Sequence, residues 1–285
     1  MPSAQREYRD RLFTFIFGSK EHRDWTLSLY NAVNNTHYTE PERIAITTIR
    51  EVLYLGMHND VSFLVANGMS LYEQQSTYCP NMPLRMLQYA GNLYERHVHE
   101  RHMNKYGHKL LSLPAPKLVV FYNGQSEAAE EEVLRLSDSF PEGARADIEV
   151  RVRMININPG MGEQIKAACV PLREYTWLVE EIRRNAEDVD VLLAIDKALA
   201  AMPADFEILP YLLAHKAEVR DMLLTEYDEA EAMELFREEG REEGRDQTIL
   251  EVAASLIGEL GYTADKAMEF LRVPKAERSR YLSML

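Results

Sequence analysis

Between Asn59 and Pro83 the chain reads NDVSFLVANGMSLYEQQSTYCPNMP, two short alternating runs on either side of Asn67-Gly68. An Asn-Gly pair in this setting predicts a two-residue hairpin turn, because both turn positions need positive φ. With that turn, Ala66 faces Met69, Ser62 faces Glu73 and Asp60 faces Gln75. Opposed residues share a face, and side chains alternate along each strand. Asp60, Ser62, Glu73 and Gln75 therefore fall on one face of the sheet. A solvated strand face accounts for two acids equally well. The chemical reading is a hard-cation site, since Mg²⁺ takes one or two carboxylates and keeps other positions for water and a substrate phosphate. Asp60 and Glu73 supply the carboxylates and the carbonyl of Gln74 a third oxygen, and Gln75 orients a water.

Charge is unevenly spread. The chain is 285 residues long with a net charge of −14, yet residues 1–125 carry 13 Lys+Arg against 11 Asp+Glu and seven of the eight histidines. The first part can approach a phosphate backbone while the acidic remainder faces elsewhere. Hydrophobic residues at 46% and charged residues at 27% are ordinary for a soluble globular protein. No run of 18 apolar residues and no basic-then-apolar leader is seen, so the expectation is a cytoplasmic protein with no membrane contact. Cys79 and Cys169 stand alone, without metal-ligand spacing, and are expected as free thiols.

In YRDRLFTFIFG the spacing of Leu12, Phe13, Ile16 and Phe17 predicts a short amphipathic helix ending near Gly18, and Trp25, Leu29 and Val33 in EHRDWTLSLYNAV predict another. RIAITTI reads as a strand, followed by the hairpin. A helix is expected from Asn81, as N-cap, to Tyr106, with Leu84, Leu87, Gly91, Tyr94 and Val98 along its apolar side. KLVVFYNG suits a buried strand that can pair in parallel after this helical crossover. AAEEEVLRLSDSF suits an amphipathic helix. ADIEVRVRMINI alternates Ile148, Val150, Val152 and Met154 and reads as a strand extending the sheet edge. Beyond Pro159-Gly160 the pattern is helical. His97, His99 and His102 do not share a helix face and read as surface residues.

The helix–strand–strand–strand–helix–strand order and the Asp…Glu-x-Gln spacing resemble the PD-(D/E)XK nuclease superfamily. More narrowly, the DRLFTFIFG opening, LYNAVNNTHY, NDVSFLV, LYEQQSTYCPNMPLRMLQY, LPAPKLVVFYNG, LRLSDSF and ININ resemble the recombination-promoting nuclease/putative transposase family. The resemblance covers roughly residues 7–180. It implies an α/β, restriction-endonuclease-like core, a mixed sheet flanked by helices, and metal-dependent cleavage of DNA. Asp60 and Glu73 match the metal-binding acids, and Gln75 matches the superfamily's lysine. Asn59 stands where the superfamily name has proline. A neutral Gln75 only hydrogen-bonds, which leaves more of the electrostatic task to Mg²⁺, or to Mn²⁺ in its place. Asp10, in the matching opening, and Arg85, in the first turn after the hairpin, are accessory candidates.

Arg237, Arg241 and Arg245 repeat every four residues with Glu238 and Glu242 and with Gly240 and Gly244, which suits either a close helix–helix approach or a charged linker. Thr263 is a candidate N-cap and Pro274 opens a last helix. The expected organisation is a nuclease-like domain at 1–180, a helical extension at 181–245 and a small helical module at 246–285. The expected function is a Mg²⁺-dependent DNA endonuclease in recombination, mobile-element biology or defence, dimeric through its C-terminal helices. The alternative is a nuclease-fold protein without catalysis, serving as a nucleic-acid-binding or assembly module.

Overall fold

Leu12, Phe13, Ile16 and Phe17 are wholly buried, and they set the first helix against the sheet. The computed structural model describes residues 12–46, 61–65, 68–282 and 284–285, without side chains at 225–243, 259, 275–276 and 279. Two compact units divide the chain, Met1–Asp228 and Glu229–Leu285.

The first unit opens with α1 (Leu12–Phe17) and α2 (Arg23–Asn34), followed by β1 (Ala45–Ile46), β2 (Val61–Val65) and β3 (Gly68–Gln75). Helix α3 (Met82–Glu100) crosses over to β4 (Ala115–Tyr122), and β5 (Glu131–Arg135) and β6 (Arg151–Asn156) complete the sheet. The strand order is β1-β2-β3-β4-β6-β5. β1 to β3 form an antiparallel meander, β3, β4 and β6 run parallel, and β5 is antiparallel to β6. The molecule is thus α/β with a mixed sheet, and the α3 crossover makes β4 parallel to β3 as its sequence order suggests.

Each face of the sheet has its own core. Val61, Phe63, Tyr72, Val119 and Phe121 meet α1, α2 and the later helices α4 (Glu163–Ala168), α5 (Val170–Ala186), α6 (Val191–Ala201) and α7 (Leu209–Ala214). Met69, Leu71, Val120, Tyr122, Val152 and Met154 meet Met82, Met86, Tyr89 and Leu93 of α3. Ile182, Leu199, Leu212 and Leu223 share the first core, so the helices after residue 180 are continuous with the sheet's packing.

The hairpin register differs from the sequence expectation by two residues. Val65 pairs with Gly68 and Ser62 with Leu71, so Gly68 begins β3, while Asn67 of the expected turn lies outside the described residues. Gly68 is not among the described glycines with positive φ, so it is no left-handed turn residue. Side-chain packing explains the choice. The expected register opposes Phe63 to Tyr72, whereas the observed one sets Phe63 against Ser70 and Tyr72 against Val61. The two rings then lie on a diagonal, edge to face, with centroids 5.2 Å apart. A two-residue shift leaves every side chain on its face.

Four further expectations are corrected. Residues 131–135 form β5, not a helix, because Leu134 and Leu136 alternate into the α3-side core and Glu131 pairs with Arg153 at 2.6 Å. Strand pairing here outweighs the helical preference of an Ala/Glu-rich segment. β6 lies inside the sheet between β4 and β5, and Ile148 is exposed ahead of it. Helix α3 stops at Glu100 and not at Tyr106, while Asn81 does stand at its N-cap, without a side-chain cap bond. Its buried stripe is Met82, Met86, Tyr89, Ala90 and Leu93, while Leu84 is exposed, because the sheet meets α3 one position round from the apolar side expected.

In the second unit, the end of α8 (Lys216–Leu260) packs with α9 (Ala264–Phe270) and α10 (Lys275–Leu282) around Ala253, Leu256, Met268, Val273 and Tyr281. Thr263 caps α9 by accepting from the Lys266 amide, as its sequence position indicates. Arg245 pairs with Glu277 at 3.2 Å, and the Tyr281 hydroxyl donates to Asp246. The repeat at 236–246 is helical, and a methyl placed at Gly244 meets nothing within 4 Å. No described helix is long and apolar enough to cross a membrane.

The packing has two measurable consequences for stability. A Cβ at Gly124 would stand 2.2 Å from the Ser76 carbonyl oxygen, whereas one on Gly91, within α3, meets nothing. Gly124→Ala is expected to cost more than about 2 kcal/mol, and Gly91→Ala to gain about 0.5–1 kcal/mol, read from urea midpoints. Glu174 is buried and accepts from the Ile208 amide at 3.0 Å ahead of α7. Burial raises its pKa, opposed by the backbone amides it accepts. Its stabilising share is therefore full below the ordinary carboxylate range and is lost as pH rises through the raised folded value. Glu174→Gln, which keeps an acceptor without the charge, should gain stability over wild type at pH 7 and lose that advantage at pH 4.

Candidate functional site

The carboxyl half of β3 carries three polar residues in a row, Glu73, Gln74 and Gln75, and all are buried. A central strand flanked on both sides is the least expected place for such a run, because each side chain must find a partner away from water. Alternation sends Glu73 and Gln75 to the α3 side, the face that also takes Met69 and Leu71. Gln74 points to the other side.

Glu73 is only 1% exposed, and Arg85, in the first turn of α3, donates from Nη2 to its Oε2 at 3.2 Å. The same guanidinium donates to the Tyr89 hydroxyl from Nη2 at 3.0 Å and from Nε at 3.3 Å. Tyr89 lies four residues beyond Arg85, one helical turn on, which places both on one side of α3. Burial works against the charge on Arg85, but the Glu73 carboxylate and Tyr89 outweigh it and hold the pKa above its ordinary value. The result is a cation fixed beside a shielded carboxylate, with a third of the arginine side chain still open to solvent (35%).

On the opposite face the Gln74 amide donates to Oδ1 of Asn123 at 2.6 Å. The Asn123 backbone N–H donates to the Gln75 carbonyl at 3.0 Å. Asn123 directly follows β4, whose last residue, Tyr122, is in register with Gln75. One residue thus ties both the side chain of Gln74 and the main chain of Gln75. The neighbouring strand end continues the lattice, with Asn158 donating to the Gly124 carbonyl at 2.9 Å and Lys166 donating to the Asn158 carbonyl at 3.2 Å.

Of the residues singled out by sequence, Glu73, Gln75 and Arg85 meet on one face. The main chain of Gln74 lies between Glu73 and Gln75, while its side chain diverges. Asp60 and Asp10 lie outside the described residues. Asn123 and Tyr89 join the site only through the fold. Their sequence signals are weak, an Asn directly after a strand and a Tyr one helical turn beyond an Arg. Among the described residues, no group of three His, Cys, Asp or Glu side chains is placed to hold a metal. Cys79 and Cys169 are free, and burial pushes the Cys169 thiol up to about 11, which leaves it unreactive at neutral pH.

The fold and this strand segment define an α/β protein with a buried, charge-bearing site on the central strand of a mixed sheet. Compared with protein-family models, with curated proteins and with solved structures, the chain finds no match.

Because Glu73 is shielded and Arg85 sits beside it, the pair should behave as one unit. Arg85→Met, which leaves the carboxylate buried, is expected to cost about 3 kcal/mol. Adding Glu73→Gln to Arg85→Met should recover part of that loss. A double-mutant cycle by chemical denaturation measures the coupling; additive effects would show that the two residues act independently.

Proposed function

We propose that the chain is a metal-dependent DNA endonuclease with a PD-(D/E)XK-like core. The observation that carries this reading is the carboxylate of Glu73, almost wholly withdrawn from water on the central strand, with Arg85 at its side and Gln75 on the same face. The order of helix, three-strand meander, crossover helix and parallel strand supports it, since this is the arrangement the sequence resemblance implies.

In this reading Asp60, Glu73 and the main-chain carbonyl of Gln74 hold Mg²⁺. These are hard oxygen donors, the class this cation prefers. The bound ion would lower the pKa of a water and neutralise charge on the phosphodiester. Gln75, neutral where a lysine is usual, orients the attacking water through its side-chain amide. Arg85 has two tasks. It balances the buried Glu73 carboxylate in the free protein, and it offers its solvent-open side to a phosphate oxygen of the substrate. Asn123 keeps the Gln74–Gln75 segment in place by bonding to both residues. Asp10 is an accessory acid in the same scheme.

A second reading is favoured by one observation, that the guanidinium nearest Glu73 is already paired with it. There the ion pair is purely structural, and the chain serves as a non-catalytic nucleic-acid-binding or assembly module, dimeric through its C-terminal helices.

Supercoiled plasmid separates the two. Wild type is expected to nick or linearise it with Mg²⁺ or Mn²⁺ and not with chelator. Asp60→Ala and Glu73→Ala should lose at least about 100-fold in rate while keeping the far-ultraviolet circular dichroism of the wild type. Metal should also raise the melting temperature of wild type and not of Glu73→Ala. Cleavage by Asp60→Ala at the full rate would remove this site, and absence of cleavage and of metal stabilisation in wild type would favour the second reading.

A further inference from the structure

Residues 101–114 join α3 to β4 and, with the start of β4 as far as Lys117, contain four Lys or Arg and no acidic residue, in a chain of net charge −14. Residues 101–114 have no helix or strand of their own. Connections of that length without secondary structure are uncommon in compact domains and are usually functional or disordered. This one is built. Tyr94 donates to the Pro114 carbonyl at 2.8 Å and anchors its end. The Met103 amide bonds to the Val98 carbonyl at 2.9 Å, and His102 takes a left-handed φ of 51° to make that turn. Asn104 accepts from the Tyr106 amide through its side chain at 3.0 Å and from the Gly107 amide through its carbonyl at 3.2 Å.

That turn holds Tyr106 outward, 87% exposed, and Leu110 beyond it is 94% exposed. Lys105 lies 5.6 Å from the Tyr106 ring centroid. Lys105 pairs with Glu95 at 2.6 Å, but that pair is exposed, so it contributes little to stability and remains open to exchange for a phosphate. Arg101, Lys109 and Lys117 are exposed as well. An aromatic face offered to solvent between cations is the chemistry of a single-stranded nucleic acid, whose bases stack and whose phosphates pair. A duplex is the poorer match, because the loop offers neither a helix nor a two-stranded ribbon to a groove.

We infer that the α3–β4 connection is a contact surface for single-stranded nucleic acid, with Tyr106 stacking on a base and Lys105 and Lys109 pairing with flanking phosphates. It begins at the opposite end of α3 from Arg85, about 23 Å along the helix axis for the 15 residues from Arg85 to Glu100 at about 1.5 Å each. The surface thus holds a strand well away from the candidate site. The choice of nucleic acid over an anionic lipid surface rests on the phosphodiester chemistry proposed above.

The test measures binding without cleavage, by fluorescence anisotropy of a labelled oligo-dT and of a labelled duplex in chelator, with the full chain. Tyr106→Ala should weaken oligo-dT binding about tenfold, with little effect on the duplex. Lys105→Gln with Lys109→Gln should lower the slope of log affinity against log salt by about 1.4, at about 0.7 for each phosphate that is no longer neutralised. Both variants should hydrolyse a small phosphodiester, bis(4-nitrophenyl) phosphate, with Mn²⁺ at the wild-type rate. Oligo-dT affinity unchanged in both variants overturns the surface, as does Tyr106-dependent binding to phosphatidylserine vesicles without binding to oligo-dT. Loss of oligo-dT binding in the variants, with no hydrolysis by any form of the protein, would sustain the surface and sink only the nuclease reading.

Discussion

The parallel ladder between β3 and β4, from Gly68 opposite Ala115 to Gln75 opposite Tyr122, is the interaction on which the rest of the first unit depends. It joins an antiparallel meander to a parallel half-sheet, and it requires a crossover, which α3 supplies. Because both faces of β3 and β4 are covered, every second side chain commits to a different core. Tyr72 and Phe121 pack edge to face on one side, with ring centroids 5.5 Å apart. Leu71, Val120 and Tyr122 pack under α3 on the other. The close approach of Gly124 to the Ser76 carbonyl shows how tightly the chain is drawn together just beyond this ladder.

The candidate site grows out of that same ladder. Glu73, Gln74 and Gln75 occupy its last three positions, where the strands end and backbone groups need new partners. Asn123, just beyond β4, answers that need at Gln75, and Arg85 of α3 pairs with the side chain of Glu73. A carboxylate this well shielded is costly unless a cation stands beside it, and the first turn of the crossover helix brings one in Arg85. The sheet therefore does more than carry the site. Its parallel pairing fixes where α3 begins, and the start of α3 fixes where Arg85 stands.

The connection at the far end of α3 reflects a different use of the same architecture. A crossover helix as long as β3 and β4 separates two ends of the domain, one bearing the buried acid and one bearing an exposed, acid-free loop. The asymmetry of charge that runs along the chain becomes in space a basic, aromatic projection on a protein of strongly negative total charge. The second unit has its own small core.

Local pattern was enough for several elements. The apolar spacing of Leu12 to Phe17, the Trp25–Leu29–Val33 stripe, the apolar run of β4 and the Thr263 cap depend on neighbours a few residues away, and the structure carries each of them. The shared face of Glu73 and Gln75 was also legible, because alternation along a strand is a local property. Tertiary structure decided the rest. The hairpin register moved by two because Phe63 and Tyr72 pack better on a diagonal than head to head. Residues 131–135 became a strand because the open edge of β6 and the side chain of Arg153 offered more than a helix. The stripe that α3 buries was set by the sheet beneath it. Asn123 and Tyr89 entered the site because pairing in space joined residues far apart in sequence, and no periodicity encodes that. A sequence specifies what each segment prefers to bury; which partners it meets is settled only when the segments compete for the same core.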